Sequence, residues 1–262
     1  MRVATYNIRN GRALDLSSFW WTRRRAVRRV IEQVDADIWG FQEVYGFQRK
    51  YLERTALPGS DWGSAGDGRS GGGRGEQVPV AYRRSRFDEA STSTRWFGPT
   101  PDVAGSRLDG AGFPRIATIA SLVPTTGEPG LRVVNLHLDS DSVERRAASI
   151  RQLVEWLDDD PSVATIVMGD FNGVMTEPGY DAFAEAGLRS ALAPDAGPTS
   201  NGFGRRLDEQ RQIDHVFVSS HLQVRESRIA VEAGHASDHY PVVVDLDLDL
   251  DLDLDLGSAP DA

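Results

Sequence analysis

Gly169-Asp170-Phe171-Asn172, closing the run Thr165-Ile166-Val167-Met168, and Ser237-Asp238-His239-Tyr240-Pro241, opening the run Val242-Val243-Val244, are the stretches whose joint reading decides the fold. A carboxylate beside an imidazole, and a carboxylate two residues from an amide, are groups suited to cleaving phosphate esters with a divalent metal. Taken singly, Ser-Asp-His reads as a polar turn and Gly-Asp-x-Asn as a loop after a strand. Taken with further motifs in a matching order, they decide the reading.

Outward from these motifs, residues 2–8 read as a first strand and residues 22–34 as a helix. In that helix Ala26, Val27, Val30, Ile31 and Val34 fall at helical spacing, and Thr22 is the expected cap. Its five arginines lie opposite the apolar stripe and read as a solvated outer face. Further strands are expected at Ile38–Phe41, Val78–Tyr82, Ile116–Val123, Leu131–His137, Val163–Met168, Ile213–Val218 and Tyr240–Leu246. A helix is expected at Ser142–Leu157, and residues 59–75 read as a glycine-rich loop too irregular to cradle a phosphate. Short β-branched strands with few helical crossovers predict two packed sheets flanked by helices, not a doubly wound parallel sheet.

The chain has 262 residues, 40% of them hydrophobic, enough to bury a large core. Motifs running from residue 5 to residue 241 favour one domain, expected over 1–248. From Asp245 to Leu256 aspartate and leucine alternate strictly. The first of these residues can finish the last strand with leucines inward. Residues 249–262 are expected to form a disordered low-complexity acidic tail, and regular aspartate spacing lacks the turns that gather oxygens around one ion. No apolar stretch reaches the roughly 18 residues of a membrane span, and no signal peptide is read. Without cysteine there is no disulfide and no thiolate metal site, and the cytoplasm is the expected compartment. A net charge of −10 argues against broad adhesion to nucleic acid or anionic membrane, though not against a local basic cleft. No protein partner is inferable.

Asn7, Glu43 and Asp238 each end or adjoin a predicted strand, so side chains from neighbouring strands can converge on one rim. Oxygen donors without thiolate or clustered histidine point to magnesium, with manganese as a substitute. On an extended chain Asp170 and Asn172, two residues apart, face the same way while Phe171 points inward, so one can orient a water and the other bind a phosphate oxygen. His137 and His239 can each be matched with an acid and so remain imidazolium near neutral pH. His221 and His235 read as surface loop residues, and His215 as a strand residue.

The ordered set Tyr6-Asn7-Ile8-Arg9, Gln42-Glu43-Val44, Asn135-Leu136-His137, Gly169-Asp170-Phe171-Asn172, Ile213-Asp214-His215 and Ser237-Asp238-His239 resembles the endonuclease/exonuclease/phosphatase superfamily, with its deoxyribonuclease I-like fold. The resemblance implies an α+β, four-layer α/β/β/α sandwich of two mostly antiparallel sheets and a magnesium-dependent phosphoesterase site at one sheet edge. Glu43 then looks like the principal metal ligand, with Asn7 and Asp238 near the same ion. Asp170 would activate the water, Asn172 bind the scissile phosphate, and Asp214 stand behind the phosphate-binding His239. His137 looks like the second histidine of the deoxyribonuclease branch, with Glu76 as its partner, and Arg9 and Arg115 look like phosphate contacts. Arg9 departs from the abasic-site endonucleases, which tend to carry an acid there, and His137 stands where that branch has tyrosine.

This site type serves many phosphate-ester substrates, so fold alone does not select one. The Asn-Ile-Arg start and two histidine–acid pairs put a magnesium-dependent phosphodiesterase first, a nuclease acting on nucleic acid. The alternatives are a phosphomonoesterase for a small sugar or inositol phosphate and an inactive binding protein. Trp20-Trp21 and Trp96-Phe97 read as packing residues before base-stacking ones.

Overall fold

Along the first strand, β1 (Arg2–Asn7), Val3 faces one apolar cluster while Ala4 and Tyr6 face another, so the strand is buried on both sides. That is the pattern of a central layer. In the computed structural model, which describes residues 1–14, 18–158, 160–204 and 210–248, two six-stranded sheets lie face to face. The first has the order β11 (Leu222–Ile229), β12 (Val242–Leu248), β1, β2 (Ile38–Gln42), β4 (Val80–Arg83), β3 (Trp62–Ala65). The second has the order β5 (Phe87–Trp96), β6 (Ile116–Pro124), β7 (Leu131–His137), β8 (Ala164–Asp170), β10 (Asp214–Ser219), β9 (Leu188–Ser190). Among the described residues only β1–β2 and β7–β8 pair in parallel.

Val3, Ile38, Val80 and Val244 meet Leu122, Val133, Ile166 and Val218 between the sheets. Helices α1 (Trp20–Val34) and α2 (Gly46–Thr55) cover the outer face of the first sheet, through Val27, Val30, Ile31 and Leu52. Helices α3 (Val143–Leu157) and α4 (Asp181–Glu185) cover the second through Ile150, Leu153, Trp156 and Phe183. The α+β sandwich of four layers expected from the sequence is the one observed. Among the described residues no helix is long and apolar enough to cross a membrane.

The sequence reading differs from the structure in several places. Helix α1 starts at Trp20, and Thr22 does not cap it but donates from Oγ1 to Phe19 O within the first turn. Arg23 is buried, not solvated. Trp62–Ala65 is a strand inside the stretch read as loop, and α2 is mostly polar, so neither carries a clear apolar period. Strand β5 is an edge with an exposed middle, and β11 carries a register shift between Val224 and Glu226, so neither alternates cleanly. Residues 245–248 do finish β12, Asp245 and Asp247 pairing outward with Arg2 and Arg225 while Leu246 is buried. The remaining Asp-Leu residues lie outside the described ones. Trp20, Trp96 and Phe97 are core, whereas Trp21 is exposed and stacks on Phe47.

A polar seam crosses the sandwich. By the β2–β4 register Pro79 stands opposite Phe41, giving its carbonyl to Phe41 N but having no N–H to return. The buried Asn135 amide of the opposite sheet supplies that donor, reaching Phe41 O at 2.8 Å and Pro79 O at 2.9 Å. Its Oδ1 accepts from Gln42 Nε2 at 2.6 Å, which also donates to Thr5 Oγ1. Gly40 makes room, since a Cβ there would lie 2.8 Å from the Asn135 amide. Asn135→Leu keeps the volume but strands Phe41 O and a Gln42 donor, and is expected to cost about 2–4 kcal/mol. Urea unfolding measures this; a loss well below about 1 kcal/mol would remove the seam from the stability argument.

Candidate active site

One step along each strand beyond the seam, the inward positions become ionisable. Strand β8 presents Asp170, with His137 beside it across the parallel β7 pair and Asp214 beside it across the antiparallel β10 pair. From the facing sheet Asn7 Nδ2 donates to Asp170 Oδ2 at 2.8 Å and to Glu43 Oε1 at 3.1 Å, joining the two sheets at this rim. His239 arrives on the loop before β12, its Nδ1 2.8 Å from Asp214 Oδ2 and its Nε2 3.8 Å from Asp170 Oδ2. The 199–201 segment clasps that loop. Thr199 accepts from Asp214 N and Tyr240 N, and Asn201 N donates to Asp238 O.

Backbone strain gathers here. Of the five non-glycine residues at positive φ among those described, Arg9 (56°), Glu43 (59°) and Asn172 (54°) line this rim. Such conformations cost free energy and persist where surrounding contacts impose them. Glu43 is pinned by the paired Val44–Gln77 backbone bonds, and Asn172 by its N–H to Asp170 Oδ1 at 2.9 Å. The latter corrects the expected extended geometry: a turn, not period-2 alternation, turns Asn172 toward Asp170, and its Nδ2 donates to Leu138 O. Phe171 does point into the core.

The electrostatics separate the two histidines. Burial alone would depress the His239 pKa, but Asp214, Asp170 and Asp238 outweigh it and hold the imidazole well above its usual value. His137 moves the other way, driven well down by burial, by Arg115 and by His239 itself. The expectation of two imidazoliums is thus corrected to one. Glu76 is not the hydrogen-bonded partner of His137: it holds Arg69 at 2.8 Å and accepts from Asn10 Nδ2 at 2.9 Å. The carboxylate nearest His137 Nε2 is Asp170, 3.6 Å away. Asp170 is pushed up to about 7 by burial and by Asp214, against the lowering effect of His239. His215 is a neutral core histidine, its pKa lowered by burial and its Nε2 2.9 Å from Gly173 O among Phe171 and Tyr180.

Two donor sets are available for a metal. Asp170, Asp214 and His239 each offer an atom within 4.8 Å of the others; His239 Nδ1 is already taken up by Asp214 Oδ2, while the buried Asp214 Oδ1 has no hydrogen-bond partner among the described residues. Glu43, Asn7 and Asp238 form the other set. Arg9 bridges its carboxylates, with NH1 3.9 Å from Glu43 Oε2 and Nε 3.4 Å from Asp238 Oδ2. Burial raises the Asp238 pKa, and Glu43 adds to this while His239 and Arg9 oppose it, so a cation placed beside Asp238 and Glu43 would favour the ionised form of Asp238. Hard oxygen donors with excess negative charge fit magnesium or manganese.

Asn10, Tyr45, Arg69, Glu76, Phe113, Arg115, Asp139 and Ser140 join Arg9, Glu43, His137, Asp170, Asn172 and His239 around a cavity of about 580 Å³. Arg115 reaches Ser140 Oγ at 3.3 Å, and its buried Nε has no hydrogen-bond partner among the described residues. Arg69, Asn10 and Phe113 were not singled out in the sequence, where each stands in an irregular loop without a motif. A cavity of similar volume between Met1, Phe87, Pro124 and Leu248 offers no histidine and no buried carboxylate.

Solved structures share this architecture. The chain is 30% identical to an endonuclease/exonuclease/phosphatase family protein from Bacteroides thetaiotaomicron, covering 95% of this chain and 98% of that one at a TM-score of 0.84. It is 30% identical to the mannosyl-6-phosphatase Bt3783 of Bacteroides thetaiotaomicron, over 95% and 100% at 0.83. It is 28% identical to a Bacteroides vulgatus endonuclease/exonuclease/phosphatase, over 94% and 98% at 0.85. No curated protein matches it. The family model described as Endonuclease/Exonuclease/phosphatase family matches residues 4–239. With the match spanning both sheets and every motif of the rim, the chain belongs to the endonuclease/exonuclease/phosphatase family of phosphoesterases.

Proposed function

We propose that this protein is a magnesium-dependent phosphatase acting on a small, hydroxyl-rich phosphate monoester, a sugar phosphate. The observation that carries this reading is the mixed lining of the cavity. Cations at His239, Arg9, Arg69 and Arg115 share it with Glu76, Asp139 and Asp141, Glu76 being paired with Arg69 and Asp139 with Arg145. Carboxylates accept hydrogen bonds from sugar hydroxyls but repel the flanking phosphates of a nucleic acid, as does a net charge of −10. Similarity to a mannosyl-6-phosphatase supports the same class. The nuclease reading, placed first on the sequence alone, rested partly on two histidine–acid pairs, of which only His239–Asp214 is hydrogen-bonded. It becomes the second reading.

In this proposal Glu43, Asn7 and Asp238 would hold the magnesium ion, which would supply positive charge to the phosphoryl oxygens when bound. His239, kept protonated by Asp214, faces the charge that develops during in-line attack by water. Asp170 orients that water and takes its proton as the bond from phosphorus to the sugar oxygen breaks, and the departing alkoxide takes a proton from solvent. Asn172 and Arg115 bind the remaining phosphoryl oxygens, and neutral His137 donates or accepts a hydrogen bond without adding charge. Positioning and electrostatic stabilisation are what phosphoryl transfer demands of a protein.

Release of phosphate from mannose 6-phosphate or p-nitrophenyl phosphate should exceed cleavage of bis(p-nitrophenyl) phosphate, plasmid and single-stranded RNA. Cleavage of the diester and nucleic acids alone would restore the nuclease reading. Turnover should stop on chelation, return with magnesium or manganese, and vanish in Glu43→Ala, whose urea midpoint stays near native. Asp214→Asn removes the carboxylate that raises the His239 pKa. Protonated His239 is then lost at lower pH, so the alkaline limb of the kcat profile should move down. An unmoved limb would mean that the pair does not govern activity.

A further inference from the structure

We infer that Arg23, a buried arginine on α1 behind the site, is a positioning residue that fixes the spacing of the two chain segments bearing Asn7, Arg9 and Asp238. The inference rests on the rim being the metal-binding site proposed above, but not on the identity of the substrate. Arg23 is 5% exposed, and its guanidinium is spent on backbone carbonyls of separate segments. NH1 donates to Ile8 O and, at 3.2 Å, to Ala236 O. NH2 donates to Arg9 O at 2.7 Å and Nε to Ser18 O at 3.0 Å. Ile8 and Arg9 directly follow Asn7, and Ala236 stands two residues before Asp238. One planar cation therefore ties together the two segments that carry the rim.

The first of these segments needs holding. Arg9 is at a φ of 56°, and its carbonyl receives a second donor from α2, Gln48 Nε2 at 2.9 Å. Gln48 Oε1 accepts from Gly11 N and Tyr45 N, so both helices grip the same turn. The grip has consequences at the rim. With the turn in place Asn10 N donates to Glu43 Oε2 at 2.7 Å, and Arg9 Nε lies 3.4 Å from Asp238 Oδ2. Ser237 Oγ closes the arrangement with a 2.7 Å bond to Asn7 O. A buried charge is costly to hold, and an apolar side chain would fill the same volume without that cost. Only the guanidinium fork offers donors in a fixed plane to three segments at once, and a lysine ammonium cannot span it.

The test compares Arg23→Met, Arg23→Lys and a remote core control, Ile150→Val on α3, with the native protein. Mn²⁺ affinity is measured by calorimetry, and kcat with p-nitrophenyl phosphate and magnesium, at a temperature where circular dichroism shows each variant folded. Arg23→Met is expected to bind Mn²⁺ about 10–100-fold more weakly and to lose about 100-fold in kcat. Arg23→Lys should fall between it and native, and Ile150→Val should match native. Added methylguanidinium should restore part of the Mn²⁺ affinity of Arg23→Met. Native-like affinity and kcat in Arg23→Met overturn the inference, as do equal losses in Ile150→Val. If Arg23→Met does not fold, native-like values in Arg23→Lys overturn it equally. A native protein that releases no phosphate from any monoester would count against the function proposed above, and the Mn²⁺ affinities would still decide this inference.

Discussion

A proline opposite Phe41 leaves one backbone carbonyl of the central sheet without its ladder donor, and the amide of Asn135 crosses the sandwich to supply it. Apolar contacts between sheets are non-directional and tolerate sliding. A buried amide with three partners does not, because any shift leaves polar groups unpaired in a dry interior. The seam therefore fixes how one sheet faces the other. Asn7 and Asp170 meet at 2.8 Å one position further along, with Glu43 from the first sheet and His137 from the second at the same rim. The candidate active site is the solvent-facing continuation of the seam that aligns the sheets.

At that rim the charges are arranged asymmetrically. His239 sits against Asp214 and remains cationic, while His137 sits near Arg115 and is kept neutral. Among the described residues Glu43 and Asp238 share the Arg9 guanidinium, and the buried Arg115 Nε has no hydrogen-bond partner. One side of the cavity is thus lined by carboxylates and the other by cations.

Much of this was legible in the sequence. Asp170, Asp214, Asp238 and His239 stand in motifs whose order along the chain carries fold information, and all four converge. β-branched runs located the central strands because those are buried on both faces. Polar edge strands such as β5 and the bulged β11 escaped notice, since alternation fails where one face is solvated or the register shifts. Arg23 was misread because a helical stripe records which face is apolar. It does not record that a charged residue beside the stripe can find four backbone carbonyls.

By itself the sequence determined the family, the α+β class and the identity of most rim residues, because these follow from residue type, order and local period. Tertiary structure alone decided which acid partners which histidine. His137 and Glu76 were matched by resemblance, yet the loop geometry gives Glu76 to Arg69 and Asn10. It also decided that one histidine is charged and the other neutral, since each pKa sums burial and charges contributed by distant segments. Local sequence encodes the groups, whereas their protonation and pairing depend on distances that exist only after the two sheets have closed.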